Sequence, residues 1–129
     1  MNGLDTYLVG VGNRNLCFVK VLTDEGLYGI GEAYSVGPDE ATVQVQRYLS
    51  DWLIGLDPLD IEGLWQRMYV GSRFPGGSLL HAALSGIDQA LWDLKGRALG
   101  APVYQLLGDV AASASGCIRI RGARAMVKR

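Results

Sequence analysis

The sequence predicts an α+β fold, a three-stranded antiparallel meander followed by a bundle of three to four helices. Three observations carry this prediction. Short segments rich in β-branched and aromatic residues occupy the first 34 positions and are joined by short polar connections. From Pro38 onward the apolar residues change to three-and-four spacing. Glycine and proline fall where one element should end and the next begin.

The first strand is expected over Leu4 to Val11, with Tyr7, Leu8, Val9 and Val11 as its apolar residues. A polar loop, Gly12-Asn13-Arg14-Asn15, then leads to a second strand over Leu16 to Thr23. Asp24-Glu25-Gly26 forms a tight turn, with Gly26 free to take positive φ, before a third strand over Leu27 to Tyr34. Such short connections favour antiparallel neighbours.

Pro38 and Asp39 open a helix running to about Ile54, with Val43, Val45, Leu49, Leu53 and Trp52 on its apolar side. Leu56-Asp57-Pro58 breaks it. Asp60 caps a second helix through about Tyr69, where Ile61, Leu64, Trp65 and Met68 repeat at helical spacing. Gly71 to Gly77 reads as a connector containing Phe74-Pro75-Gly76-Gly77. The third helix carries one stripe, Leu80, Leu84, Ile87, Leu91 and Leu94, while Ala83, Gly86 and Ala90 permit a close neighbour. Gly100 stands at the position of a left-handed cap, and Pro102 starts a short helix ended by Gly108. There is no internal repeat.

Composition excludes several functional classes. About half the residues are apolar and the formal charge is −1, which gives no reason to expect nucleic acid or an anionic membrane as partner. No apolar run approaches the about 18 residues of a membrane span, and no leader pattern opens the chain, so a cytoplasmic protein is expected. Cys17 and Cys117 do not make a disulfide framework, and Cys17 reads as a small buried hydrophobe. After Asp109 the charges are all basic (Arg119, Arg121, Arg124, Lys128 and Arg129), which reads as a solvated end.

Residues 83 to 108 carry a long pattern: Ala83, Ser85-Gly86, Ile87-Asp88, Ala90-Leu91, Asp93, Gly96-Arg97, Pro102-Val103 and Leu106-Leu107-Gly108. This pattern resembles the amino-terminal capping domain of the mandelate racemase and muconate lactonizing branch of the enolase superfamily. Val19-Lys20-Val21, Thr23-Asp24-Glu25-Gly26 and Gly29-Ile30-Gly31-Glu32-Ala33 are similar to that domain's second and third strands. The resemblance covers about residues 3 to 108. Within the family, Val9 to Asn15, Tyr28 to Ala33, Leu53 to Pro58, Leu64 to Tyr69 and Gly86 to Asp93 look like galactonate-type acid-sugar dehydratase sequence. The physical reading of the pattern is packing. Asp88 and Asp93 are expected to bond neighbouring elements, and five apart on a helix they do not face the same way.

The resemblance implies proton abstraction beside a sugar-acid carboxylate, with Mg²⁺ in the full-length family stabilising the enediolate. In that family the metal carboxylates and the Lys-x-Lys or His–Asp acid/base groups stand on a barrel. This chain has only Lys20, Lys95 and Lys128, so no Lys-x-Lys, and His81 is its single histidine. Glu32, Asp39, Glu40, Asp51, Asp57, Asp60 and Glu62 show no strand-end spacing. A barrel needs at least about 200 residues. The expectation is therefore a capping domain at 1–108 that binds no metal itself and has no catalytic residue. A linker or tail follows at 109–129, with Ile118 to Arg121 as a stub strand, as in a truncated or frame-shifted gene product or an excised domain. The resemblance also implies two lid loops. Asn13 and Arg14 on the first, and Tyr34 after the third strand, are the expected substrate contacts once a barrel is supplied. The alternatives are a solvated turn with Arg14 paired to an acid, and Tyr34 packed on the first helix. Two other readings stand beside the dehydratase: a cap from a racemase, epimerase or cycloisomerase, and an association module self-assembling through an exposed barrel-docking face.

Overall fold

The computed structural model describes residues 1–34 and 37–108, together with a two-residue strand at Ala125–Met126. Strands β1 (Gly3–Val11), β2 (Arg14–Leu22) and β3 (Tyr28–Ala33) form the antiparallel meander, and β4 (Ala125–Met126) pairs with Gly10 and Val11, giving the order β3-β2-β1-β4. Helices α1 (Asp39–Leu53), α2 (Ile61–Gly71), α3 (Ser78–Leu99) and α4 (Val103–Leu107) follow. The expected stub strand at Ile118 to Arg121, the linker reading of 109–129 and Cys117 lie outside the described residues.

The first connection is shorter than its composition suggested. Val11 pairs with Arg14, so the loop is only Gly12-Asn13, and Arg14 and Asn15 begin β2. Gly12 has φ +61 at the first central position, where a two-residue II′ hairpin requires glycine. In the second turn Gly26 has φ +80, and the Thr23 amide and hydroxyl both donate to the Leu27 carbonyl.

Strand alternation gives the sheet one packed face. Cys17, Val19 and Val21 of β2 and Gly29, Gly31 and Ala33 of β3 are buried; Tyr28, Ile30 and Glu32 between them are exposed. The core joins Val19 and Val21 to Leu49 and Leu53 of α1, Leu64 and Met68 of α2, and Ile87, Leu91 and Leu94 of α3. The helix ends obey their local chemistry. Asp60 accepts from the Gly63 amide at the start of α2, and Gly100 takes φ +63 after α3, with the Ala101 amide bonded to the Gly96 carbonyl.

The tightest contact is between β3 and α3. A side chain at Gly29 would collide with the Ala90 carbonyl, and one at Gly31 with the Gly86 carbonyl. A Cβ at Gly86 would in turn lie 2.9 Å from that of Ala33. Because β3 ends the sheet, its outward amides need other acceptors. Asp93 of α3 accepts from the Ile30 amide at 2.9 Å, and Gln89, one turn earlier, accepts from that of Glu32 at 3.3 Å. Asp93 also accepts from Arg97 Nε at 3.0 Å, and Arg97 and Lys20 lie over the Tyr28 ring at 4.6 and 4.4 Å.

Asp88 has a different fate. It is half-buried in a groove with Ile30, Trp92, Val103 and Leu107. Burial raises its carboxyl above the ordinary value, and the charge of Glu62 raises it further.

Replacing Gly31 by alanine forces a strand and a helix apart and is expected to cost about 3 kcal/mol, as overpacking does. Urea unfolding measures it, with Gln44→Ala on the exposed side of α1 as a control that stays within about 0.5 kcal/mol. Asp88 holds its proton more tightly in the folded chain than in the unfolded one. Its contribution to stability therefore falls as pH rises through the unfolded and then the folded value. Asp88→Asn should raise the urea midpoint at pH 7, and the gain should vanish below about pH 3, where the carboxyl is protonated in both folded and unfolded states of the native chain.

Candidate functional site

One end of the sheet gathers the expected lid residues. Cys17 pairs with Ala33 and Val11 with Arg14, so the β1–β2 hairpin tip and the exit of β3 share that end. In the same register Tyr34 falls level with Leu16, two residues from Arg14, or about 7 Å along the strand. Asn13 and Arg14 are exposed, and no ion pair holds Arg14 among the described residues. Tyr34 is 71% exposed, so it points to solvent and does not pack on α1. The three residues therefore share one rim: an amide, a guanidinium and a phenol, each able to bond a polyhydroxylated anion.

Behind that rim lies a polar layer between β2 and the first two turns of α1. Alternation sends Asn15 and Cys17 toward the helix. Asn15 Nδ2 donates to Asp39 Oδ2 at 2.7 Å. The Cys17 thiol donates to Gln46 Oε1 at 3.6 Å. Burial pushes that thiol upward; the Gln46 contact pulls it down, while Asp39 and Glu32 push it up again. Cys17 is thus buried as expected, yet it belongs to a polar cluster. Asp39 Oδ1 and Gln46 Nε2 are buried without a partner among the described residues.

The chemistry this end offers is recognition. Among the described residues no three His, Cys, Asp or Glu side chains are grouped so as to hold a metal ion. The described residues therefore offer no donor set for the Mg²⁺ that the family resemblance implies. His81 is exposed on α3 and stacks on Tyr69, which stacks on Trp65. Phe74 is 83% exposed and borders a groove of about 570 Å³ with Tyr48 and Leu80, beside the connector into α3.

Asp39 and Gln46 carry more of this end than their sequence context announced. Asp39 reads as a helix opener. Gln46 was the available signal, because it stands three residues from both Val43 and Leu49 on the buried face of α1, where a polar residue needs a partner.

Known proteins give the same picture. The family model for the mandelate racemase / muconate lactonizing enzyme, N-terminal domain, matches residues 4–108. A D-galactonate dehydratase family member from Paenibacillus sp. (strain JDR-2) is 50% identical over 107 residues, which cover 81% of this chain and 26% of that protein. A crystal structure of an enolase from Pantoea ananatis with bound D-gluconate and Mg superposes with a TM-score of 0.78 at 40% identity, over 86% of this chain and 27% of that one. The 3,6-anhydro-D-galactonate cycloisomerase of Zobellia galactanivorans superposes at 0.76 with 37% identity, over 85% and 32%. The chain spans about a quarter of the length of the dehydratases it matches. Among the described residues no helix is long and apolar enough to cross a membrane. With the meander, the helix cluster and the 83–108 pattern all in place, the chain belongs to the mandelate racemase / muconate lactonizing enzyme family, and residues 4–108 are its N-terminal domain.

Proposed function

We propose that this domain is the substrate-specificity lid of a Mg²⁺-dependent sugar-acid dehydratase of the galactonate type, working with a barrel that supplies metal and base. The observation that carries the reading is the single rim on which Asn13, Arg14 and Tyr34 stand, at the sheet end where both lid loops leave the fold. Arg14 is assigned to the substrate carboxylate, because a guanidinium matches that group's two oxygens. Asn13 and Tyr34 are assigned to hydroxyls. The lid's contribution is to orient the acid and exclude water. The likeness to galactonate dehydratases at half identity supports this substrate class. The match to the Zobellia cycloisomerase supports the runner-up, a cap serving an isomerising barrel. Self-association through the face that would meet the barrel is the remaining proposal for partners.

A chimera tests the reading. Residues 1–108 of this chain replace the matching segment of the Paenibacillus relative, and aldonic acids are screened with Mg²⁺ for a dehydrated 2-oxo-3-deoxy product. Turnover is expected. Arg14→Ala in the chimera should raise KM about tenfold with kcat within about twofold, as loss of uniform binding does. An unchanged KM removes Arg14 from the site, and a chimera that isomerises without losing water selects the runner-up. The 129-residue chain alone with Mg²⁺ is expected to give no turnover on the same panel.

A further inference from the structure

The two lid loops arise 20 residues apart in sequence, yet one side-chain contact joins their bases. Asn15 follows the hairpin tip directly and faces α1, while Arg14 beside it faces away. Asp39 is the first residue of α1 and ends the segment that leaves β3 at Tyr34. The bond between them, Asn15 Nδ2 to Asp39 Oδ2, is 2.7 Å long and half-buried. That is the short end of the N–H···O range. The carboxylate also stands in the first turn of a 15-residue helix, where the backbone dipole favours negative charge. Beside the strand ladder, this bond ties the base of the hairpin to the helix layer. At the helix start the Ala41 and Thr42 amides bond the Pro38 carbonyl, and the Asp39 amide bonds that of Gly37.

We propose that Asp39 is a positioning residue of the lid, holding the hairpin that carries Asn13 and Arg14 in fixed relation to the start of α1. The inference rests on the lid reading for its functional meaning, but the latch itself is a property of this chain. Asp39 touches no substrate. It acts through Asn15 on the hairpin, from its own place at the start of α1. Neighbouring contacts fix the bond's direction. Cys17 and Gln46 form the next rung inward, so the Asp39 carboxylate is confined between that rung and the rim. Asp39 Oδ1 is buried with no donor among the described residues, so the Asn15 bond is the side-chain bond this carboxylate makes there.

Amide hydrogen exchange on the 129-residue chain tests the latch without any substrate. Asp39→Ala is expected to speed exchange about tenfold or more at Val11 and Arg14 on the hairpin side, and equally at Ala41 and Thr42 on the helix side. Core amides such as Val19 and Leu91 should stay within twofold. Asp39→Asn keeps an acceptor for Asn15 and should hold all four amides within about threefold of the native chain. Asn15→Ala, which leaves the helix start intact, should loosen Ala41 and Thr42 as well. A response of the helix amides alone to Asp39→Ala, or none there to Asn15→Ala, reduces Asp39 to a helix-end residue and overturns the latch. Uniform acceleration that includes the core overturns it too. If the latch holds while Arg14→Ala leaves the chimera's KM unchanged, the lid reading fails and the latch stands.

Discussion

The closeness of β3 to α3 is the constraint on which the rest of this domain depends. Three glycines, at 29, 31 and 86, remove the side chains that would otherwise separate a strand backbone from a helix backbone. Once the two are that close, the outward amides of Ile30 and Glu32 fall within reach of Asp93 and Gln89. An edge strand that would recruit another chain is thereby closed by its own helix. The long third helix is held by this edge as well as by its leucine stripe, which places Leu84, Ile87, Leu91 and Leu94 over the sheet and against α1 and α2.

This joint sets the geometry at the end of the sheet. β3 cannot slide along α3, because a one-residue shift would bring Ile30 or Glu32 to a glycine position, a two-residue shift would bring Leu27 or Ala33 to one, and any side chain there meets the helix backbone. The exit of β3 at Ala33, and hence the origin of Tyr34, is fixed relative to the core. The β1–β2 hairpin has no such joint. Its tip is a two-residue turn at the end of two nine-residue strands, held laterally by the ladder. The Asn15–Asp39 bond stands where that difference matters, between the fixed side and the free one. Recognition surfaces work best when their contact groups are placed by packed elements, and here the packed joint fixes the end of β3 from which Tyr34 leaves.

Much of this was legible in the sequence for identifiable reasons. The stripe of α3, the Asp60 cap, the Gly100 terminus and the alternation of β2 follow from local rules, and each element lies where those rules put it. Asp93 was recognisable as an acid needing a partner on another element, although its actual partner, a backbone amide of the edge strand, depends on tertiary pairing. The hairpin was read too long because Arg14 and Asn15 are polar, and polarity resembles a loop when the strand's first residues face solvent and a helix start. The rim composed of Asn13, Arg14 and Tyr34 came from family resemblance. Spacing alone does not reveal it, since the residues meet only through the antiparallel register. The Asn15–Asp39 contact, 24 residues apart, had no local signal at all.

Asp88 and Asp93 show how one short pattern divides between opposite physical roles. Five residues apart on α3, they point in directions that differ by well over a right angle. Asp93 turns toward β3, accepts from a backbone amide and from Arg97, and so has its charge offset by donors that the fold supplies. Asp88 turns into an apolar groove with Glu62 as its nearest charge, and the fold holds it at a cost that burial makes visible in its raised carboxyl value. A helix selected only for packing on the sheet would have no reason to keep an acid there. Asp93 stabilises this domain and Asp88 does not. The family pattern therefore encodes more than the packing of α3 on β3, and its two acids must be judged separately when the pattern is used to argue stability.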